Sequence, residues 1–305
     1  MRVIEDDLRT GTGDGRHVVE LTADWNVIEV NGGYLAAALL SAAEQHRAGM
    51  SPVSLTVQFS DRTIPGELTV SVSCVRESAA TALLLLTGEQ QGRTTVFAQL
   101  WLATDGGRRV DLPSDRVMSE VGPEGLLEVD KLRRRGGLPV HDIPLYTQVE
   151  ERPVDWWDPA QRSATAPLPR RMRSWLRMAP TPRRSPWSVA RRACVLLDAY
   201  PIMALIRSTP YGVSGSVVTS LNLHVEFDDP DEQDPEWWFG EFAAVGSSRG
   251  SVEAVGTLWT RSGSRVAAGD QRVLTQALHR GNDAERRMQQ PEQPAQPPAE
   301  RGARS

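Results

Sequence analysis

Cysteine and lysine are almost missing from this 305-residue chain, and each scarcity narrows what the protein can be. Two cysteines, Cys74 and Cys194, are too few for a disulfide scaffold, and neither sits in a CxxC or Cys/His cluster that would hold zinc. No metal site is expected. Lys131 is the sole lysine among 34 Lys and Arg residues, which fits a GC-rich genome better than a function. Long apolar runs are lacking too: Leu35 to Leu40 and Leu83 to Leu86 fall far short of the roughly 20 residues that span a bilayer. Met1 to Asp7 is acidic and has no apolar signal core. Basic excess is absent as well. A formal net charge of -5 and a pI near 5.7 exclude a general nucleic-acid binder, which needs a basic surface to displace counterions from phosphate. The expectation is a soluble, cytoplasmic protein with no membrane or nucleic-acid partner.

What the chain does contain is a pattern that occurs twice. Val53-Ser54-Leu55-Thr56-Val57-Gln58-Phe59 is echoed by Leu221-Asn222-Leu223-His224-Val225-Glu226-Phe227. Each is preceded by an apolar helical stretch and followed by alternating segments. In the first copy, Asn31 caps an Ala- and Leu-rich helix that begins after Gly32-Gly33, apolar on most sides and so buried. From Val53 the period changes to two. Strands are expected at Leu55/Val57/Phe59, Leu68 to Val72, Ala82 to Leu86 and Val96 to Leu102, separated by turn-forming residues. The second copy gives a helix over about 194 to 208 and strands over 219 to 227, 237 to 244, 252 to 260 and 265 to 274. Aligning Phe59 with Phe227 and Val96 with Val266 gives nearly constant offsets, as an internal duplication would. The predicted organisation is an N-terminal repeat over 1 to 110, a Pro-, Arg- and Trp-rich linker covering the sheet over 111 to 192, a C-terminal repeat over 193 to 280, and a disordered tail over 281 to 305.

A helix lying in a concave antiparallel sheet, present twice in one chain, resembles the double hotdog arrangement of the acyl-CoA thioesterase II (TesB-like) and thioesterase-like superfamily. The residues that carry the likeness are Asn31-Gly32-Gly33-Tyr34-Leu35-Ala36, Glu151-Arg152-Pro153-Val154 with Trp175-Leu176-Arg177-Met178, Ser220 to Phe227, and Gly263 to Gln271. It spans roughly residues 17 to 276. The resemblance implies an α+β fold with two long helices wrapped by one continuous antiparallel sheet. It implies hydrolysis of an acyl thioester to free acid and thiol, with no cofactor beyond the coenzyme A of the substrate.

In that family an aspartate, a threonine or serine, and a glutamine of the second repeat hold the attacking water. By position these become Asn222, Ser247 or Ser248, and Gln271. Asn222 can orient a water but cannot take its proton at neutral pH, so the residues also support a weakened or inactive hotdog protein that binds acyl thioesters. Gly32, Gly33 and Tyr34 are the expected oxyanion and substrate-binding group, because helix-start amides and the helix dipole favour developing negative charge. The glycines could equally serve close packing. Two other bases stand behind Asn222. Asp198 is a carboxylate on an otherwise apolar helix, readable as a base or as a buried hydrogen-bonded group. His224 lies two residues from Asn222 on the same strand face, as a base or a packed residue, and a hydratase would need it to have an acidic partner. Arg162, Arg170, Arg171, Arg173, Arg177, Arg183 and Arg184 form either a grip for coenzyme A phosphates or a solvated loop face. The expected partner is a small acyl-CoA or acyl thioester; a homo-oligomer stays open.

Overall fold

The computed structural model describes residues 1–8, 10–13, 16–104, 121–137, 142–156, 171–180, 184–208, 216–228 and 236–277. The predicted tail over 281 to 305 lies outside them, as do His141, Trp157, Arg162, Arg170 and Arg183. Five α-helices are described: α1 Ile4–Asp7, α2 Gly32–His46, α3 Val129–Arg135, α4 Pro144–Thr147 and α5 Pro186–Ser208. In chain order the strands are β1 Thr10–Gly13, β2 Arg16–Leu21, β3 Ser51–Phe59, β4 Gly66–Glu77, β5 Thr81–Gln90, β6 Arg93–Ala103, β7 Val149–Pro153, β8 Arg171–Met178, β9 Ser216–Phe227, β10 Trp238–Ser248, β11 Ser251–Trp259 and β12 Arg265–Ala277.

All twelve join one antiparallel sheet in the order β1-β2-β4-β5-β6-β3-β9-β12-β11-β10-β8-β7. The order reads alike from either edge once β3 is matched with β9, so the two halves meet along the β3–β9 ladder. At its centre His224 lies opposite Thr56, 168 residues earlier in the chain, with Nδ1 and Oγ1 2.9 Å apart. This is the double hotdog fold, and α2 and α5 are its two central helices.

Alternation places one side of each strand in the core. Leu55 and Val57, Leu68 and Val70, Leu84 and Leu86, and Leu100 and Leu102 are fully buried, each worth about 1.5–3 kcal/mol of transfer free energy. Helix α2 is buried from Gly33 to Ala43, which its small residues allow. A Cβ on Gly33 would lie 2.6 Å from the Cα of Val195 and nearer still to the Cys194 carbonyl. No other residue permits so close a crossing of α2 over α5.

Two expectations are corrected. Helix α5 starts at Pro186, eight residues before the expected 194. Pro suits the first helical turn, and Ser185 and Ser188 exchange backbone-to-hydroxyl bonds of 2.9 and 3.1 Å that close the start. The segment expected only to cover the sheet supplies strands to it instead. Outward Arg171, Arg173 and Arg177 alternate with buried Met172, Ser174, Leu176 and Met178 in β8, which pairs with β10. Among the described residues no helix is long and apolar enough to cross a membrane.

Candidate active site

Asp198 lies on the face of α5 that meets the start of α2, and is 2% exposed. The backbone N–H groups of Gly32 and Gly33 lie beside its carboxylate and pull its pKa down. Asn31 Nδ2 donates to one of its oxygens at 2.5 Å, and the Ser220 hydroxyl lies 3.0 Å from the other. The same hydroxyl is 2.8 Å from Gln271 Oε1. Asn31 thus serves twice, since its Oδ1 also caps α2 by accepting Tyr34 N–H at 2.9 Å. Burial raises the Asp198 pKa, against the opposing bonds from Gly33, Ser220, Gly32 and Asn31. One hydroxyl proton on Ser220 cannot serve both acceptors at once. A protonated Asp198 donating to Ser220, which then donates to Gln271, satisfies all three groups, and is the form that burial favours.

Gln271 is fully buried on β12, and Pro201 explains its second anchor. Inside α5 a proline has no N–H to give the carbonyl four residues back, here that of Leu197. Gln271 Nε2 reaches that orphan at 3.2 Å and the Asp198 carbonyl at 2.7 Å. The amide is thereby held with its oxygen toward Ser220.

Ser220 reaches the core face through a β-bulge. The register of β9 against β12 shifts between Ser220 and Asn222, leaving Leu221 unpaired and 39% exposed. The extra residue reverses the alternation, so Ser220 points inward beside Leu223 and Val225, while Asn222 and His224 face outward. Asn222 is therefore not beside Gln271. Its Oδ1 accepts the backbone N–H of Arg272 at 2.7 Å, outside the bulge. Ser247 and Ser248 are exposed at a hairpin tip that turns through Arg249 and Gly250, both at positive φ. Strand length carries them away from α5. Tyr34 contributes its N–H to the cap, but its side chain is buried against Trp25 with centroids 5.6 Å apart, and burial pushes its phenol up to about 12. Of the arginine group, Arg171 pairs with Glu241, Arg173 with Asp155, and Arg177 with Glu150 and Glu236. Among the described residues no group of His, Cys, Asp and Glu could hold a metal ion.

The site thus joins Gly32, Gly33, Asp198 and Gln271, which the sequence offered, with Ser220 and Asn31, which it did not place there. The profile of the acyl-CoA thioesterase N-terminal domain matches residues 21–103, and that of the acyl-CoA thioesterase C-terminal domain matches residues 123–275. The chain belongs to the acyl-CoA thioesterase family. No protein of curated function matches it. Among solved structures it is similar to a conserved hot dog fold protein of unknown function from Alicyclobacillus acidocaldarius, with TM-score 0.74 and 19% identity over 91% of this chain and 99% of that one. It is similar also to the acyl-CoA thioesterase II TesB2 of Mycobacterium marinum, with TM-score 0.71 and 16% identity over 90% and 98%.

The first half of this acyl-CoA thioesterase family member repeats the framework without the polar groups. Strand β3 has the same register shift, between Pro52 and Ser54, and Leu55 pairs with Leu100 where Leu223 pairs with Gln271. Proline and leucine stand where the second half has Ser220 and Gln271. The Trp187 indole lies close by, donating to Met50 O at 2.9 Å.

Proposed function

We propose that this chain hydrolyses acyl-CoA thioesters at Asp198, with Ser220 and Gln271 orienting the base and its water. The observation that carries the reading is a buried carboxylate bonded at once to Asn31 and to the Ser220–Gln271 pair, beside the helix-start amides of Gly32 and Gly33. The ionised Asp198 takes a proton from water as the water oxygen bonds to the thioester carbonyl carbon. Negative charge then leaves the carboxylate and appears on the carbonyl oxygen. The Gly32 and Gly33 amides, fixed at the positive end of α2, then stabilise that oxygen in place of the carboxylate charge. Collapse breaks the carbon–sulfur bond, and the proton on Asp198 passes to the leaving thiolate.

These steps use only the chain's own groups, so coenzyme A enters as part of the substrate and no further cofactor is needed. The outward Asn222 no longer argues for an inactive binder. Thiol release from a panel of acyl-CoAs tests the proposal. Asp198→Asn should lower turnover about 10² to 10⁴-fold, the usual worth of a positioned acid-base group, while Asn222→Asp should bring no gain. Wild-type turnover in Asp198→Asn would refute the assignment.

The wider setting we read as lipid metabolism in the cytoplasm, supported by the exposed free thiol of Cys74, which suits a reducing compartment. An internal duplication is supported by the bulge shared at Pro52/Ser54 and Ser220/Asn222. Leu85 and Phe97, 40% and 47% exposed on neighbouring strands, favour a homo-oligomer, which sedimentation would test.

A further inference from the structure

A second polar cluster lies away from Asp198, between α1, the first turns of α5 and strand β10. Arg192 is 4% exposed and points toward the sheet, where its guanidinium stacks 5.3 Å over the Trp238 ring and Nη2 donates to Met178 O at 3.3 Å. Arg191, 6% exposed, pairs through Nη1 with Glu44 at 2.5 Å. Glu5 approaches both arginines from α1. Five of the eleven buried side-chain polar atoms without a hydrogen-bond partner among the described residues fall here: Arg191 Nε, Arg192 Nε, Trp238 Nε1 and both oxygens of Glu5. Each such atom costs about 1–3 kcal/mol when left unmet, and three of the five, Arg191 Nε, Arg192 Nε and Trp238 Nε1, are donors that an acceptor would satisfy.

We propose that Arg191, Arg192 and Trp238, closed over by Glu5, form a binding site for one small oxyanion, a phosphate or a carboxylate. The Nε edge of a guanidinium is the fork that grips such an anion, and the Arg192 Nε–H is unused. The indole N–H of Trp238 and the Nε–H of Arg191 are further donors. Charge agrees with this. Arg191 is balanced by Glu44, whereas among the described residues Glu5 is the acidic group that acts on Arg192, and burial raises the Glu5 pKa against the opposing pull of Arg191 and Arg192. Protonated, Glu5 ceases to repel an anion and becomes a donor to it. The groups facing Glu5 are Arg191 and Arg192 of α5 and Asp6 of its own helix, with Arg184 facing Arg192. Arg192 stands six residues before Asp198, about 9 Å along the same helix, so an anion here would pin α1 to the helix that carries the candidate base. The proposal does not depend on the hydrolase reading.

Thermal unfolding of the full chain at constant ionic strength tests it, with sodium phosphate and sodium acetate each titrated against sodium chloride. A saturable rise in Tm with phosphate or acetate beyond chloride is expected, and the anion that produces it tells a tetrahedral site from a carboxylate site. Arg192→Met should abolish the rise. Trp238→Phe keeps an aromatic ring for Arg192 to stack on while removing the indole N–H together with the five-membered ring; it should weaken the apparent Kd about tenfold or more, since a hydrogen bond to a charged group is removed. It also guards against Arg192→Met failing to fold. Glu5→Gln should tighten binding and flatten its dependence on pH. No saturable rise in the wild type, or an equal rise in Trp238→Phe, would mean that water alone bridges these atoms and would overturn the proposal.

Discussion

Replacing Gly33 with alanine adds one methyl group at the glycine with the least room among the described residues. That carbon would lie 2.6 Å from the Cα of Val195, with the Cys194 carbonyl closer still. Both are backbone atoms in mid-helix and cannot swing aside. Restoring ordinary contact at about 3.4 Å needs a separation of α2 from α5 of at least ~0.8 Å. Overpacking of this kind costs about 1–3 kcal/mol, and for a chain this size each kcal/mol lowers Tm by about 2–4 °C. The loss should thus be about 2–12 °C. The rate should suffer more, because the separation pulls the Gly33 amide and Asn31 away from Asp198, and misplacement by about 1 Å can cost ~10²-fold. Gly32→Ala offers a graded comparison: its methyl would meet the Phe59 ring edge at 2.6 Å, a movable side chain, and Asp198 Oδ1 at 3.1 Å. It should keep more stability than Gly33→Ala while still losing rate. Gly49→Ala, with nothing within 4 Å of the added carbon, should change neither. Scanning calorimetry and thiol release on the three variants give the answer. Wild-type Tm and rate in Gly33→Ala would show that the two helices are not locked together at this glycine.

Because burial raises the Asp198 pKa, the base is ionised only above that raised value, and thiol release should climb with pH through it. Its unfolded counterpart ionises first, so the wild-type chain should lose stability relative to Asp198→Asn as pH rises between the two values; a constant difference would contradict the shift. Asn222→Ala should cost about 1–2 kcal/mol by orphaning the Arg272 N–H while leaving thiol release intact, and Ser247→Ala and Ser248→Ala should leave both denaturant midpoint and rate unchanged. Pro201→Ala returns an N–H to the Leu197 carbonyl, so it should raise Tm, by up to ~3 kcal/mol in stability, yet lower kcat by loosening Gln271. An unchanged kcat would show that the Asp198 carbonyl alone positions that amide.

The meander was readable because Leu55, Val57, Leu68, Val70, Leu84 and Leu86 alternate with outward residues and lie between turn residues. Gly32-Gly33, Asp198 and Gln271 were readable as unusual residues in apolar surroundings. Ser220 was not. Counting in twos from Leu223 and Val225 assigns the inward position to Leu221, and only the bulge moves it to Ser220. No local composition marks that bulge, since it is fixed by pairing with β12, far along the chain. Asn222 was misplaced by carrying a family residue over by position, although alternation with Leu223 and Val225 already turns it outward, and Ser247 and Ser248 were misplaced by alignment across a loop. The start of α5 was masked by Arg191 and Arg192, which look like linker residues until Trp238 and Glu44 are seen to receive them. Pro201 could have signalled the Leu197 carbonyl, because a proline inside a helix always leaves a carbonyl four residues back to be met by something else.

The carboxylate comes from the helix of one repeat and the helix start that meets it from the other. Two separate but identical subunits could not be built this way without repeating every residue in both, since a change in one gene copy appears in each subunit. A single chain is free of that constraint. Pro52 and Leu100 can stay apolar in the half that lends its helix start, while Ser220 and Gln271 serve the half that lends Asp198. Stoichiometry follows from this arrangement: a tight inhibitor that mimics the acyl transition state should titrate one equivalent per polypeptide, and cutting the chain between α4 and α5 should end activity unless the two pieces stay together.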